Sequence, residues 1–505
     1  MPEGVDARTY HDRTKHSPES VRGGPGLDFD NKPRPDKHYV DLPTHGRRGP
    51  RPTPSMPALA AIADSPAGGP SSLDRDAVLS LCYHAAGITK TIDRGGRTVA
   101  FRAASCTGAL YHIDLYPVCG PLADLEAGVY HYDPRADTLE QVRAGDYRGV
   151  LAAASDHDHV ASAPVTMVAT STWWRNAWKY GARTYRHAFW DSGTVLANLL
   201  ATATALEAPA TTVTGFADAP VAALLGVDPT WEAPLELVPI GRDGSAPSPP
   251  TVTPIDPATD PLDSDPIDYP LITGAWQAST LPDGETAAAW RARGPRPVDG
   301  RDPGDGDRIP LDPVDPETAS HRPLCDTIDR RGSCREYRRD TLSFRKLSTV
   351  LDRATRGVPM DVRDDAGPPL QFCDCYCIVN GVDGVEPGAY QYHPEVGVLE
   401  RLHAGVARED AEFLALGQPL GGDAAVCVYF LADLAAIDEA LGDRGYRAAQ
   451  LEAALTAGRL YLATYAHRDL GGTGLTFFDD AVTTFFEPRA TGQTPMFLYT
   501  LGRPA

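Results

Sequence analysis

Apolar and polar positions along the chain fall into two recurring patterns. Runs at Tyr111 to Val118 and at Phe372 to Val379 have the length and composition of buried strands. Each is followed by a G-x-Y-x-Y segment, GVYHY at Gly128 and GAYQY at Gly388. Its alternation of Tyr with other residues predicts a half-buried hairpin strand. Farther on the period lengthens. Val195, Leu196, Leu199, Leu200, Ala203 and Leu206 recur at helical spacing behind a candidate cap at Asp191 or Ser192, and a second helix is predicted from about Arg447 to Ala466. Strands mixed with long helices point to an α+β class.

Two stretches interrupt this pattern. Residues 1–75 are rich in Pro, Gly and charge, and from Gly241 to about His321 the chain runs through SAPSPPTVTPIDPATDPLDSDPIDYP and GPRPVDGRDPGDGDRIPLDPVDP. Dense proline removes backbone donors and fixes φ, so neither stretch is expected to hold a helix or a central strand. They are expected to be an extended N-terminal arm (1–75) and an inter-domain connector (242–321). The blocks 76–241 and 322–505 between and after them repeat one another. At an offset of 260, Glu126, Gly128, Tyr130, Tyr132, Pro134, Leu139 and Gly145 match Glu386, Gly388, Tyr390, Tyr392, Pro394, Leu399 and Gly405. At 261, Arg183, Tyr185, Arg186, Phe216 and Asp218 match Arg444, Tyr446, Arg447, Phe477 and Asp479, and Asp191 falls on Glu452. Two tandem domains of one kind are expected.

Composition narrows the partners. Of 505 residues 42% are apolar and 23% charged, a globular mix. The 68 acids against 47 bases leave a net charge of -21, which disfavours free nucleic acid. Only 6 of the bases are Lys. That bias fits either a salt-rich cytoplasm or a GC-rich genome. No stretch of 18 apolar residues occurs, the N-terminus lacks the apolar core of a signal peptide, and nine Cys show no framework-like spacing. A cytoplasmic protein without membrane contact is expected.

The motifs carry a family likeness. YHDRTKHS at Tyr10, HAAGIT at His84, FRAASCTGALYHIDLY at Phe101, GVYHYDP at Gly128, WKYGARTYRHAFWDSGTVLANLL at Trp178 and TGFADAPVAALLG at Thr214 resemble the SagB-type dehydrogenases of the nitroreductase superfamily. RRGSCREY at Arg330, GYRAAQLEAALTAGRLYLA and GLTFFDDAV resemble the superfamily's R-x-S-x-R opening, its central helix and the loop after it. The resemblance implies FMN as cofactor and two-electron dehydrogenation of a heterocyclic or peptide-derived substrate, azoline to azole in the best-known members. It also implies a flavin at a dimer interface, with the R-x-S-x-R donors from one subunit and a small-residue segment from the other. Here the halves divide these parts, so the resemblance implies an intramolecular pseudo-dimer with one composite FMN. The assembly would be this monomer or a higher homo-oligomer. A cyclodehydratase-type partner is implied by the likeness alone.

The resemblance assigns cofactor binding to Arg331, Ser333, Arg335, Arg102, Ser105, Cys106, Thr107, Gly108, Gly474, Leu475, Thr476 and Arg503, and catalysis to Lys179 and Tyr180. The residue types suit those roles, because Arg serves phosphate bidentately and small residues admit backbone to a ring. A solvated basic run is the plainer reading of the Arg331 segment. Lys179 is expected to act as base, activated by burial and by Arg183 or Arg186, with Tyr180 polarising or relaying. A helix-start Lys beside a core Tyr is the alternative. Ser105-Cys106 replaces the family's Pro-Ser, His112 its following Pro, and Leu475-Thr476 stands where a glycine is frequent.

Other constellations are bland. Asp156-His157-Asp158-His159 supplies no closed metal set, and no metal is expected. Cys373, Cys375 and Cys377 share a strand face as buried thiols. Trp173, Trp174 and Trp178 form either a substrate lid or core. Two rival functions remain: an NAD(P)H-dependent nitro or quinone reductase, and a flavin-free pseudo-enzyme that docks a partner.

Overall fold

The computed structural model describes residues 5–22, 26–63, 73–242, 244–262, 265–295, 303–304, 306–315, 318, 322–364, 367–405 and 407–505. Parts of the arm (64–72) and of the connector (296–302, 319–321) lie outside the described residues.

Two large antiparallel sheets form among the described residues, one per unit, beside a two-stranded ribbon of Ile88–Arg94 and Arg97–Arg102. In the first, Thr138–Ala144, Gly128–Asp133, Ile113–Cys119, Val165–Thr172 and Glu232–Ile240 lie side by side in that order. In the second, Val398–Ala404, Gly388–His393, Cys373–Val379, Val426–Ala432 and Thr494–Pro504 repeat the order. The predicted strands are therefore present, shifted by one or two residues at their starts. Strand residues of both sheets are buried almost throughout because helices cover them.

Two long helices, Thr184–Ala205 and Asp443–Ala466, run through the centre and pack on one another. Glycines permit the close approach. A Cβ on Gly193 would meet that of Ala454 at 2.6 Å, and one on Gly458 would meet that of Ala197 at 2.5 Å. Position 193 corresponds to 454 and 197 to 458, so a small-residue step recurs on each side of the crossing. The first helix begins earlier than predicted, and Asp191 sits inside it rather than capping it. The apolar stripe starts at Val195, and the turns before it are buried by polar contacts that hydrophobic periodicity does not register.

Those contacts join the units. Arg183 and Arg186 reach the Asp479 carboxylate of the second unit at 3.1 and 2.5 Å. Arg444 and Arg447 reach Asp218 of the first at 2.6 and 2.7 Å. All six side chains are buried; the remaining donors of Arg186 and Arg447 are hydrogen-bonded, whereas Arg183 Nε and Nη2 and Arg444 Nη2 find no partner among the described residues.

The proline-rich stretches supply part of that satisfaction, which corrects the expectation that they hold no helix. The arm forms a helix at Ala7–Arg13, capped by Asp6, which accepts from the Thr9 amide at 2.7 Å. The connector forms Pro270–Ala278, with Pro at its first turn, and Gly284–Arg291, capped by Asp283. Prolines stand before or at the start of these helices, where no donor is lost. Arg186 donates to the His11 carbonyl (2.6 Å) and the Thr14 hydroxyl (3.1 Å). Arg447 donates to the Trp276 carbonyl (2.9 Å) and the Ser279 hydroxyl (2.8 Å). Arm helix and connector helix thus occupy matched places.

Candidate active site

A cavity of about 300 Å³ opens where the two units meet. The first unit supplies the turn 105–109, Lys179, Tyr180 and residues of its central helix. The second supplies Ser333, Arg335, the strand end Gly474 to Thr476, and Phe497. Every residue predicted from the motifs lines this cavity except Arg102, Arg331 and Arg503.

The turn is strained and tightly held. Gly108 (φ 66), Ala109 (φ 54) and Tyr111 (φ 49) are all left-handed, which costs energy at the two non-glycine positions. At Gly108 a Cβ would also sit 2.7 Å from the Tyr180 hydroxyl. Asp191 fixes the turn from below. Its carboxylate accepts from the Thr107 amide (2.9 Å), the Thr107 hydroxyl (2.8 Å), the Cys106 thiol (3.0 Å) and His112 Nε2 (2.9 Å). Burial, with Asp191 beside it, pushes the Cys106 thiol well up, so it is a protonated donor and not a nucleophile. Glu452 does the same work in the second unit, accepting from the amides of Gln371, Phe372 and Cys373.

Three expected cofactor residues are occupied elsewhere. Arg331 donates to the carbonyls of Ala103 (2.7 Å), Arg102 (3.0 Å) and Gly332 (3.1 Å). It stitches its own segment to the turn and presents no fork to the cavity. Arg102 is buried on the carbonyls of Pro35 and Ile113, and Arg503 lies 3.7 Å from Asp469. Arg335 is exposed and has no ion pair among the described residues. Lys179 also differs from expectation. It is exposed at the rim rather than buried, and Arg183 and Arg186 are turned into the Asp479 pair.

Residues outside the predicted set complete the cavity. His187 lies edge-on to Tyr180 at 4.8 Å. Its Nδ1 donates to Asn176 Oδ1 at 2.9 Å and its Nε2 has no partner. Burial, then Arg183, keep its imidazole neutral. The Thr476 hydroxyl is likewise buried and unpartnered. Burial, with Asp191 and Cys106 nearby, pushes the Tyr180 phenol up, so it remains a donor at neutral pH. Trp190, Tyr461, Leu420 and Phe497 provide apolar walls. His16 arrives from the arm. It lies in a quoted motif, YHDRTKHS, which was the one available signal for it.

The corresponding place on the other side is filled. Residues 213–215 correspond to 474–476. There Thr212 pairs with Pro359 and Asp361 through backbone bonds of 2.8 and 2.9 Å. The Asp361 carboxylate takes the amides of Thr214 and Gly215 at 2.9 Å. Arg291 donates to the Gly215 carbonyl at 2.8 Å. A Cβ on Gly215 would meet Arg291 at 2.9 Å and the Trp290 ring at 3.0 Å. His159 spends Nε2 on the Gly241 carbonyl, and the Asp156 to His159 run forms no metal-ligand group among the described residues.

Residues 82–242 match the nitroreductase family model. A candidate nitroreductase of Methanocaldococcus jannaschii is 28% identical over 143 residues, which are 28% of this chain and 71% of that protein. The stretch that these matches cover, within residues 82–242, is similar to the nitroreductase family. The chain also shares its architecture with a crystal structure of a candidate nitroreductase from Anabaena variabilis, at 24% identity, a TM-score of 0.77 and 100% coverage of both chains. That likeness concerns the fold. No helix among the described residues is long and apolar enough to cross a membrane.

Proposed function

We propose that the chain is an FMN-dependent oxidoreductase of the SagB type, a tandem pseudo-dimer that holds one flavin and dehydrogenates a heterocyclic or peptide-derived substrate. The observation that carries this reading is the cavity built from both units, with its counterpart position filled by Arg291, Trp290 and Asp361.

The donor set fits FMN. The unpartnered Thr476 hydroxyl offers a hydrogen bond to a ligand's polar edge. Gly108 and Gly474 keep the walls thin: a Cβ on Gly474 would meet the Phe497 ring at 3.2 Å. Arg335 and Ser333 are the groups left to hold a phosphate, since Arg331 and Arg503 are engaged. The Gly474 amide is held by the Tyr461 hydroxyl at 2.6 Å, which fixes the backbone there.

Bound flavin supplies a two-electron hydride acceptor. The chain supplies the proton chemistry. Lys179, at the rim, accepts the proton released from the substrate in its neutral amine form and passes it to solvent. Tyr180, protonated and pinned between Gly108 and His187, donates to the substrate and orients it. Trp190, Leu420 and Phe497 exclude water from the floor.

The test uses a thiazoline- or oxazoline-containing peptide with purified protein and an electron acceptor. Loss of two hydrogens by mass spectrometry with growth of azole absorbance is expected. Rapid bleaching of the flavin by NAD(P)H, with no azole formed, would replace this reading by a nitro or quinone reductase. A colourless protein that cannot be reconstituted with FMN would overturn both.

A further inference from the structure

The arm brings one side chain into the cavity, and its matched position in the connector shows what the scaffold alone requires. The His16 amide donates to Asp479 Oδ2 at 2.8 Å, and its carbonyl accepts from the Asp479 amide at 3.1 Å. Leu281 makes the same two bonds with Asp218, at 3.0 and 3.4 Å. The backbone at this place is therefore clamped from both sides whichever side chain it carries. At the filled counterpart the residue is an apolar Leu. At the open cavity it is an imidazole that lines the space and has neither a hydrogen bond nor an ion pair among the described residues.

We propose that His16 is a substrate-contacting residue, whose imidazole hydrogen-bonds a polar atom, such as a carbonyl oxygen or ring nitrogen, of the molecule bound over the flavin. The inference rests on the flavin reading above. Burial, then Arg183, lower its pKa to about 4. The ring is neutral at pH 7 and offers one donor and one acceptor. The buried, neutral His187 on the same cavity presents its free Nε2 as an acceptor. A ligand carrying a carbonyl or ring nitrogen beside an N–H matches this pair, whereas an apolar ring satisfies neither. The arm thus acts as a specificity element, and the Asp479 clamp sets its register.

The experiment compares the full-length protein with His16→Leu and His16→Gln. Flavin is reduced anaerobically with dithionite, and its reoxidation by menadione is followed in stopped flow. Hydride passes to the quinone and the second proton comes from solvent. Leu281 indicates that Leu fits this backbone, so His16→Leu should keep its flavin content, circular dichroism and reoxidation by oxygen. Its half-saturating menadione concentration should rise roughly tenfold, the worth of about one hydrogen bond. His16→Gln, which keeps a donor and an acceptor, should recover most of the loss. A Leu variant within about twofold of wild type, or a Gln variant no better than Leu, overturns the proposal. A wild type without flavin overturns the flavin reading, and this inference falls with it.

Discussion

Asp479→Asn probes the joint on which the cavity depends. Burial raises the Asp479 pKa, but Arg186 and Arg183 outweigh it and hold the carboxyl well below the ordinary range. Removing that charge leaves two guanidiniums buried without a counter-ion, and breaking a buried pair in this way costs about 3–5 kcal/mol. Unfolding entropy near 2.1 cal/mol/K per residue gives roughly 1 kcal/mol/K for a chain of this length. The expected loss in Tm by calorimetry is therefore about 3–5 °C. Asp469→Asn removes the partner of Lys346 in a half-exposed pair (2.6 Å) and should cost no more than about 1 °C. Because the folded pKa of Asp479 is depressed, its stabilisation is full above the unfolded value near 3.9 and is lost as pH falls below it. The variant should accordingly lose part of the wild type's acid sensitivity. Hydrogen exchange at the His16 amide, which donates to Asp479, should accelerate. A variant melting within about 1 °C of wild type, with the His16 amide still protected, would refute the reasoning.

Three further outcomes follow from the cavity and its surroundings. Gly108→Ala forces a left-handed alanine and displaces Tyr180; it should cost about 1–2 kcal/mol of stability by chemical denaturation and weaken FMN binding roughly tenfold by fluorescence titration. Lys179→Ala should abolish azole formation while leaving the flavin spectrum intact, as expected of an exposed base that builds no wall. Burial raises the Glu236 pKa to about 8, against which the Ser192 hydroxyl is a minor stabiliser of the anion. The folded state then holds a proton that the unfolded state has lost, so stability should fall as pH rises from about 4.5 towards 8; Glu236→Gln should flatten that slope in Tm measured across the same range.

Local motifs made much of the site legible. The turn 105–108, the Lys179-Tyr180 pair and the Gly474 to Thr476 segment are each contiguous, and all reach the cavity. The arginines were less legible, because a guanidinium binds whatever acceptor the fold places nearest. For Arg331 that acceptor is the pair of carbonyls at Arg102 and Ala103, more than two hundred residues away in sequence. The α+β layout follows from the repeated β runs and hairpins, whereas the strand order did not show in the sequence. The arm helix did not show, since Tyr10 and His11 are buried by Arg186 and Tyr446 rather than by an apolar stripe of their own. The connector helices were hidden for a similar reason. Trp276 and Trp290 are spaced too widely to read as a period, and Trp290 gains its place by donating to the Leu441 carbonyl of the other unit (2.8 Å).

The central claim is one composite flavin site per chain, with the second closed by the connector and residues 358–362. Flavin released by denaturation of the purified, FMN-saturated protein, quantified against chain concentration, tests it directly. The account predicts one FMN per chain, still one after Lys179→Ala. Two tightly bound flavins per chain would contradict it.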